Sequence, residues 1–305
     1  MGFQLQQACG RRAGARVRAG LRAGPVLAFI VLALIAAPAL PVRATESETL
    51  SERTLKQIVA RQKDIFTEAD KQGDKLDQEN LRAQMQSVAH DYERLLQDNP
   101  KFAAGYAAYG YMLGQVGMRK ESVAVLLKAN QLDPDIPLVK NQLGNYAAEE
   151  GKPLEAAAYF LAAIKLAPNE PLYHYQLGTL LATARDDFLK SGEWTRAGID
   201  EAMHHAFQRA TELAPDRFEF GVAYAKSFYE LEHPDWAEAL KVWGGLEEKA
   251  QTPAARQLTR LHAANILITI GKPDHARALL ETVDEASLQE QKQKLIAQLA
   301  ETAKK

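Results

Sequence analysis

The chain is nearly free of cysteine. Its single thiol, Cys9, lies in the first 44 residues, so the 261 residues that follow form no disulfide and offer no thiol nucleophile. Period-two alternation of apolar and polar residues is scarce, while Ala, Leu, Glu, Lys and Gln dominate, which argues against strands. A Gly-rich phosphate loop, a His-Glu-x-x-His pair and a Gly-x-Ser-x-Gly elbow are all missing, so the sequence implies no cofactor and no reaction class that depends on them. Long apolar runs are missing too. The longest, from Pro25 to Ala37, falls short of the ~20 residues that span a bilayer.

Residues 1–44 lack any acid and hold six arginines, at 11, 12, 16, 18, 22 and 43. A basic stretch, then the apolar run, then Pro38, Pro41 and the small residues Val42 and Ala44 is the layout of a secretory signal peptide cleaved after Ala44. An uncleaved anchor in the inner membrane is the alternative. Cys9 precedes the apolar run, whereas a lipidated cysteine would follow it. Six of the 37 basic residues and none of the 39 acidic ones fall in this leader, which leaves the rest at a net charge of −8 and argues against nucleic acid as a partner. The alanine- and arginine-rich composition points to a bacterial source, and the leader layout to a periplasmic or secreted protein.

What the chain does have is a period. Pro100, Pro134 and Pro168 stand 34 residues apart, and the residues between them repeat in phase. With position 1 at Ala103, positions 7, 8, 15, 24, 27 and 32 are Tyr109, Gly110, Gly117, Leu126, Ala129 and Pro134. One period on they are Leu143, Gly144, Gly151, Phe160, Ala163 and Pro168, with Ala156 at position 20; Leu177 and Gly178 begin a third. A mid-helix glycine costs roughly 1 kcal/mol relative to alanine and is tolerated where a neighbouring helix approaches closely. Position 15 ends a first helix in a left-handed conformation. Gly-Lys-Pro at 151–153 and 271–273 then sets proline near the start of the next helix, and proline at position 32 stops that helix.

This pattern resembles the tetratricopeptide repeat family. The resemblance implies an all-α fold, a right-handed α-solenoid of antiparallel helix pairs closed by a C-terminal capping helix. After the leader, residues 45–102 read as a degenerate first repeat, with Val88, Tyr92 and Leu95 in its second helix. Repeats follow at 103–136, 137–170, 171–217, 218–253 and 257–284. The third closes at Pro215 and carries 13 extra residues near 183–197. The polar run 285–305 reads as the cap, with Leu288, Leu295, Ile296 and Leu299 on one face.

In this family the first-helix face lines a concave groove where extended peptides or partner helices bind. Positions 2, 5, 9 and 12 share that face by the 100° step. Carried onto this chain, the groove holds Tyr111, Asn141, Asn145, Tyr175, Thr179, Lys226, Tyr229 and Asn265, flanked by Gln142 and Gln176 at position 6. Amides pair with a partner's backbone and tyrosines add stacking area. The bland reading is ordinary polar surface, and Asn141 and Asn145 are expected to face solvent. The cluster of lysine and arginine with which some members clamp a carboxylate is missing. His204-His205, with Asp186-Asp187, His174 or Glu201, is the one candidate metal set, but adjacent histidines diverge by about 100° and rarely share an ion; the bland reading has one packed and one solvated. The three tryptophans read as packing, Trp194 standing apart because it lies in the insertion. The expectation is a non-enzymatic scaffold for a protein or extended peptide. A structural subunit of an envelope-assembly or secretion complex is the alternative, and a metal-dependent enzyme using 183–205 a second.

Overall fold

The computed structural model describes residues 48–302, and the regular elements among them are all helical. They form two compact units that divide between Glu150 and Gly151.

The first unit contains α1 (Leu50–Gln72), α2 (Gln78–Asp98), α3 (Ala103–Gln115), α4 (Arg119–Leu132) and α5 (Pro137–Glu149). A reciprocal capping box opens α1, in which the Thr49 side chain accepts from Glu52 N–H and the Glu52 carboxylate accepts from Thr49 N–H. Helix α1 packs on α2 and α3 on α4, while α5 contacts both α4 and α3. Val88, Tyr92 and Leu95 of α2 join Leu55 and Ile58 of α1 and Met112 and Leu113 of α3 in one core. A closed polar chain crosses it: the Tyr92 hydroxyl donates to Gln62 Oε1, and Gln62 Nε2 donates to Gln115 Oε1, each at 2.8 Å. Because all three groups are paired, burying Gln62 leaves no unmade hydrogen bond at this point.

The position-8 glycine has the expected cause. A Cβ on Gly110 would lie 2.7 Å from Leu126 Cγ, well inside contact distance, so α3 and α4 touch through a missing side chain. The turn between them is a Schellman motif: Gly117 sits at φ 81° and Met118 N–H donates to Leu113 O at 2.9 Å.

The second unit contains α6 (Pro153–Leu166), α7 (Pro171–Thr183), α8 (Arg185–Lys190), α9 (Arg196–Leu213), α10 (Phe218–Ser227), α11 (Trp236–Lys249), α12 (Pro253–Thr269), α13 (Pro273–Glu281) and α14 (Gln289–Thr302). Gly178 of α7 repeats the glycine contact against the Phe207 ring of α9, with Cδ1 and Cε1 both 2.8 Å from a built Cβ. The extra residues near 183–197 form the short helix α8 and lengthen α9 to 18 residues, against 14 in α4 and α6. Helix α8 packs on α6, α7 and α9, with Phe188 fully buried and the Trp194 ring edge-on to it at 5.6 Å.

Two details differ from the sequence reading. Helix α12 starts at Pro253, a turn before the fifth repeat was expected to begin, because the Thr252 hydroxyl accepts from Ala255 N–H and Pro253 occupies the first turn. The C-terminal segment begins as a 3-10 turn over Ala286–Leu288 before α14. Leu299 then joins Ala264, Leu267, Ile268, Ala276 and Leu280 in a core, with Leu295 packed against it, whereas Ile296 points outward at 39% exposure.

Candidate partner-binding face

In the first unit the expected groove residues are more enclosed than the helical-wheel arithmetic allows. Tyr111 is half-buried on α3, and burial raises its hydroxyl pKa. Gln142 and Asn145 are half-buried on α5. Asn141, expected to face solvent, is only 3% exposed, and its Oδ1 has no hydrogen-bond partner. Within this unit α5 packs against both α3 and α4, which leaves less of its surface to solvent than a single helix pair would. An amide oxygen buried without a donor costs about 1–3 kcal/mol.

In the second unit Tyr175 is a packing residue in part. Its ring stacks on Phe220 at 4.6 Å and meets Phe207 at 5.7 Å, while the Arg217 guanidinium covers the far ring at 4.7 Å from the Phe220 centroid. Gln176 Oε1 is buried without a partner. Thr179 is exposed, and its hydroxyl donates to Tyr175 O at 2.9 Å.

Lys226, Tyr229 and Asn265, from two successive repeats, converge. Lys226 lies in α10, Tyr229 in the 3-10 turn that extends it, and Asn265 in α12. Burial pushes the Tyr229 hydroxyl up to about 12, and the Asn265 and Trp243 side chains lie beside it, Trp243 Nε1 making no hydrogen bond. His262 completes the group. Its ring stacks on Trp243 with centroids 4.2 Å apart and planes 6° off parallel, and the Tyr229 hydroxyl donates to the His262 carbonyl at 3.3 Å. Burial, reinforced by the Lys226 ammonium, holds the imidazole down to about 4, so it is neutral near pH 7. Lys226 itself is exposed. The face therefore offers one cation, one amide and one phenol over an aromatic floor. That set suits hydrogen bonding and stacking.

His262 was absent from the sequence reading, yet the signal was there: it occupies position 6 of the fifth repeat, the place where Gln142 and Gln176 were noted. A second group also went unread. Asp200, 3% exposed, has Oδ1 2.6 Å from Arg185 Nη2 and Oδ2 2.6 Å from Arg196 Nε, and Glu230 Oε2 bridges both arginines at 3.1 and 3.2 Å. This network pins α8 to α9 and to the turn after α10. The candidate metal residues are dispersed. His204 Nδ1 lies 2.8 Å from the Ser227 hydroxyl, His174 Nε2 lies 2.9 Å from Pro168 O, and His205 is exposed. Ser227 donates to Tyr224 O, so His204 Nδ1–H donates to Ser227, and burial lowers the His204 pKa. Among the described residues no three His, Cys, Asp or Glu side chains converge on a metal position.

Residues 139–170 match the family model described as tetratricopeptide repeat. No curated protein matches the sequence significantly. Among solved structures, the chain is similar to YrrB, described as a TPR protein with an unusual peptide-binding site, at 17% identity over 71% of this chain and 100% of that one, with a TM-score of 0.54. It is similar to PilF of Pseudomonas aeruginosa at 13% identity over 82% of this chain and 99% of that one, TM-score 0.56. It is similar to PilW, described as a widely conserved type IV pilus biogenesis factor, at 13% identity over 82% and 100%, TM-score 0.51. At these identities the likeness establishes the fold. Packed helix pairs with glycine-to-bulky contacts at matching repeat positions occur in both units, and residues 139–170 match the tetratricopeptide repeat itself, so the chain has the tetratricopeptide-repeat fold.

Proposed function

We propose that this protein is an exported, non-catalytic scaffold that holds an extended segment of a protein partner against the first-helix faces of its repeats. The observation that carries this reading is the convergence of Lys226, Tyr229 and Asn265 over the Trp243–His262 stack. Side chains from two repeats meet there at exposed or half-buried positions, and their chemistry fits a peptide backbone and its side chains. Export rests on the leader layout of residues 1–44, which lie outside the described residues. The envelope setting is the periplasm, or the inner membrane if the leader stays attached. A structural role in an envelope-assembly complex is the second reading. It is favoured by the leader together with a fold that PilF and PilW share, PilW being described as a pilus biogenesis factor.

The test is affinity for a partner purified from the envelope. Lys226→Ala with Asn265→Ala removes a cation and an amide at ~0.5–1.5 kcal/mol for each lost contact, so binding should weaken by about one order of magnitude while the circular dichroism melt is kept. Asn141 is unsuited to this experiment because truncating a buried side chain also alters packing. A partner that binds the double variant as tightly as the parent protein would move the interaction off this face.

A further inference from the structure

The outward side of α6 carries a feature that the repeat does not require. Leu154 and Leu161 are 45% and 49% exposed, and Ala158 between them is exposed as well. With Lys165 they lie four, three and four residues apart, one stripe about 16 Å long. The same positions of α9 read Glu201, His205, Gln208 and Glu212, and those of α11 read Ala237, Lys241, Gly244 and Glu248. Only α6 of these second-unit helices puts two leucines there.

We propose that this stripe is a self-association surface, on which α6 packs antiparallel against α6 of a second copy across a two-fold axis. Charge selects that occupant. Glu155 at the N-terminal end and Lys165 at the C-terminal end are both exposed, and neither has an ion-pair partner among the described residues. An antiparallel copy with its axis near residue 160 sets Glu155 opposite Lys165 of the second copy, twice over by symmetry. A parallel copy sets like charges together. The same register brings Leu161 to the axis and Ala158 opposite Ala162 of the second copy, where small side chains allow the close end of the 8–10 Å helix spacing. Antiparallel helix dipoles add to the preference. A contact built on one helix per copy lies at the low end of interface sizes, so the dimer is a micromolar, reversible one.

Sedimentation equilibrium on the purified full chain, from about 5 to 500 μM, tests this. The expected result is a monomer–dimer equilibrium that Leu161→Glu weakens at least about tenfold. Glu155→Lys should weaken it several-fold, and Glu155→Lys combined with Lys165→Glu should return it to within about twofold of the parent. Both charged positions are exposed, so the reversal pair reads the interface even if Leu161→Glu perturbs folding. A monomer at every concentration overturns the proposal, as does a dimer indifferent to Leu161→Glu in a folded variant, or a reversal pair that fails to recover. This surface is separate from the Lys226–Tyr229–Asn265 face, so either reading fails without the other.

Discussion

One substitution should have opposite signs at two glycines of the same unit. Gly178 is buried mid-way along α7, and a Cβ there would meet Phe207 Cδ1 and Cε1 at 2.8 Å and Cγ at 3.1 Å. Carbon atoms prefer 3.5–4.0 Å, so the ring has to retreat by roughly 0.7–1.2 Å. It has little room, because Phe207 is itself buried and meets the Tyr175 ring. Overpacking of this kind costs about 1–3 kcal/mol, against the roughly 1 kcal/mol that alanine gains over glycine inside a helix. Gly178→Ala should therefore destabilise by up to ~2 kcal/mol. Gly244 lies inside α11, exposed, with nothing within 4 Å of a built Cβ, so Gly244→Ala collects the helix gain alone and stabilises by about 0.8–1 kcal/mol. With an m-value of ~2 kcal/mol/M, urea midpoints of the two variants should differ by about 1 M. Circular dichroism during urea unfolding measures this, with m fitted beside the midpoint because repeat arrays can lose two-state behaviour. Adding Phe207→Leu to Gly178→Ala should cost less than the sum of the two changes, since the smaller side chain vacates the contact. If Gly178→Ala proves as stable as Gly244→Ala, the close approach is not what keeps glycine at position 8.

Acid should weaken the second unit through His262. An unfolded histidine takes a proton near 6.5 while the folded ring, held down to about 4, refuses it, so the contribution is complete above about pH 6.5 and is lost as pH falls toward 4. The loss is roughly 2–3 kcal/mol, and His262→Phe should flatten that part of a pH–stability profile measured by urea titration. Arg185→Met should destabilise by about 2–4 kcal/mol in the same unfolding assay, because Asp200 stays buried with Arg196 as its one remaining close cation. A milder effect than Lys190→Met, at an exposed position, would show that the network is not what holds α8 in place. Protein recovered from the envelope should begin near Thr45 by intact mass. A mass that retains residues 1–44 would select the membrane-anchored form.

The helix pairing was legible in the sequence because its cause is local. Gly110 and Leu126, or Gly178 and Phe207, meet inside a single repeat, and Gly117 writes the end of its helix into one residue through its left-handed backbone. A period of such contacts survives in one dimension. Which side chains reach solvent was not legible, since a third helix decides it. The 100° rule placed Asn141 on an open face, whereas it is 3% exposed on α5, a helix that packs against both α3 and α4. The groups beside the candidate face are likewise products of packing between repeats: Tyr229 and His262 are 33 residues apart, and Arg196 and Glu230 are 34. No single repeat contains both partners, and the insertion at α8 supplies Arg185 from outside the pattern altogether. The sequence by itself determined the repeat and the identity of its close contacts. The tertiary structure decided which of its polar residues stand together at the surface and which are enclosed, because burial is a property of neighbours that the period does not specify.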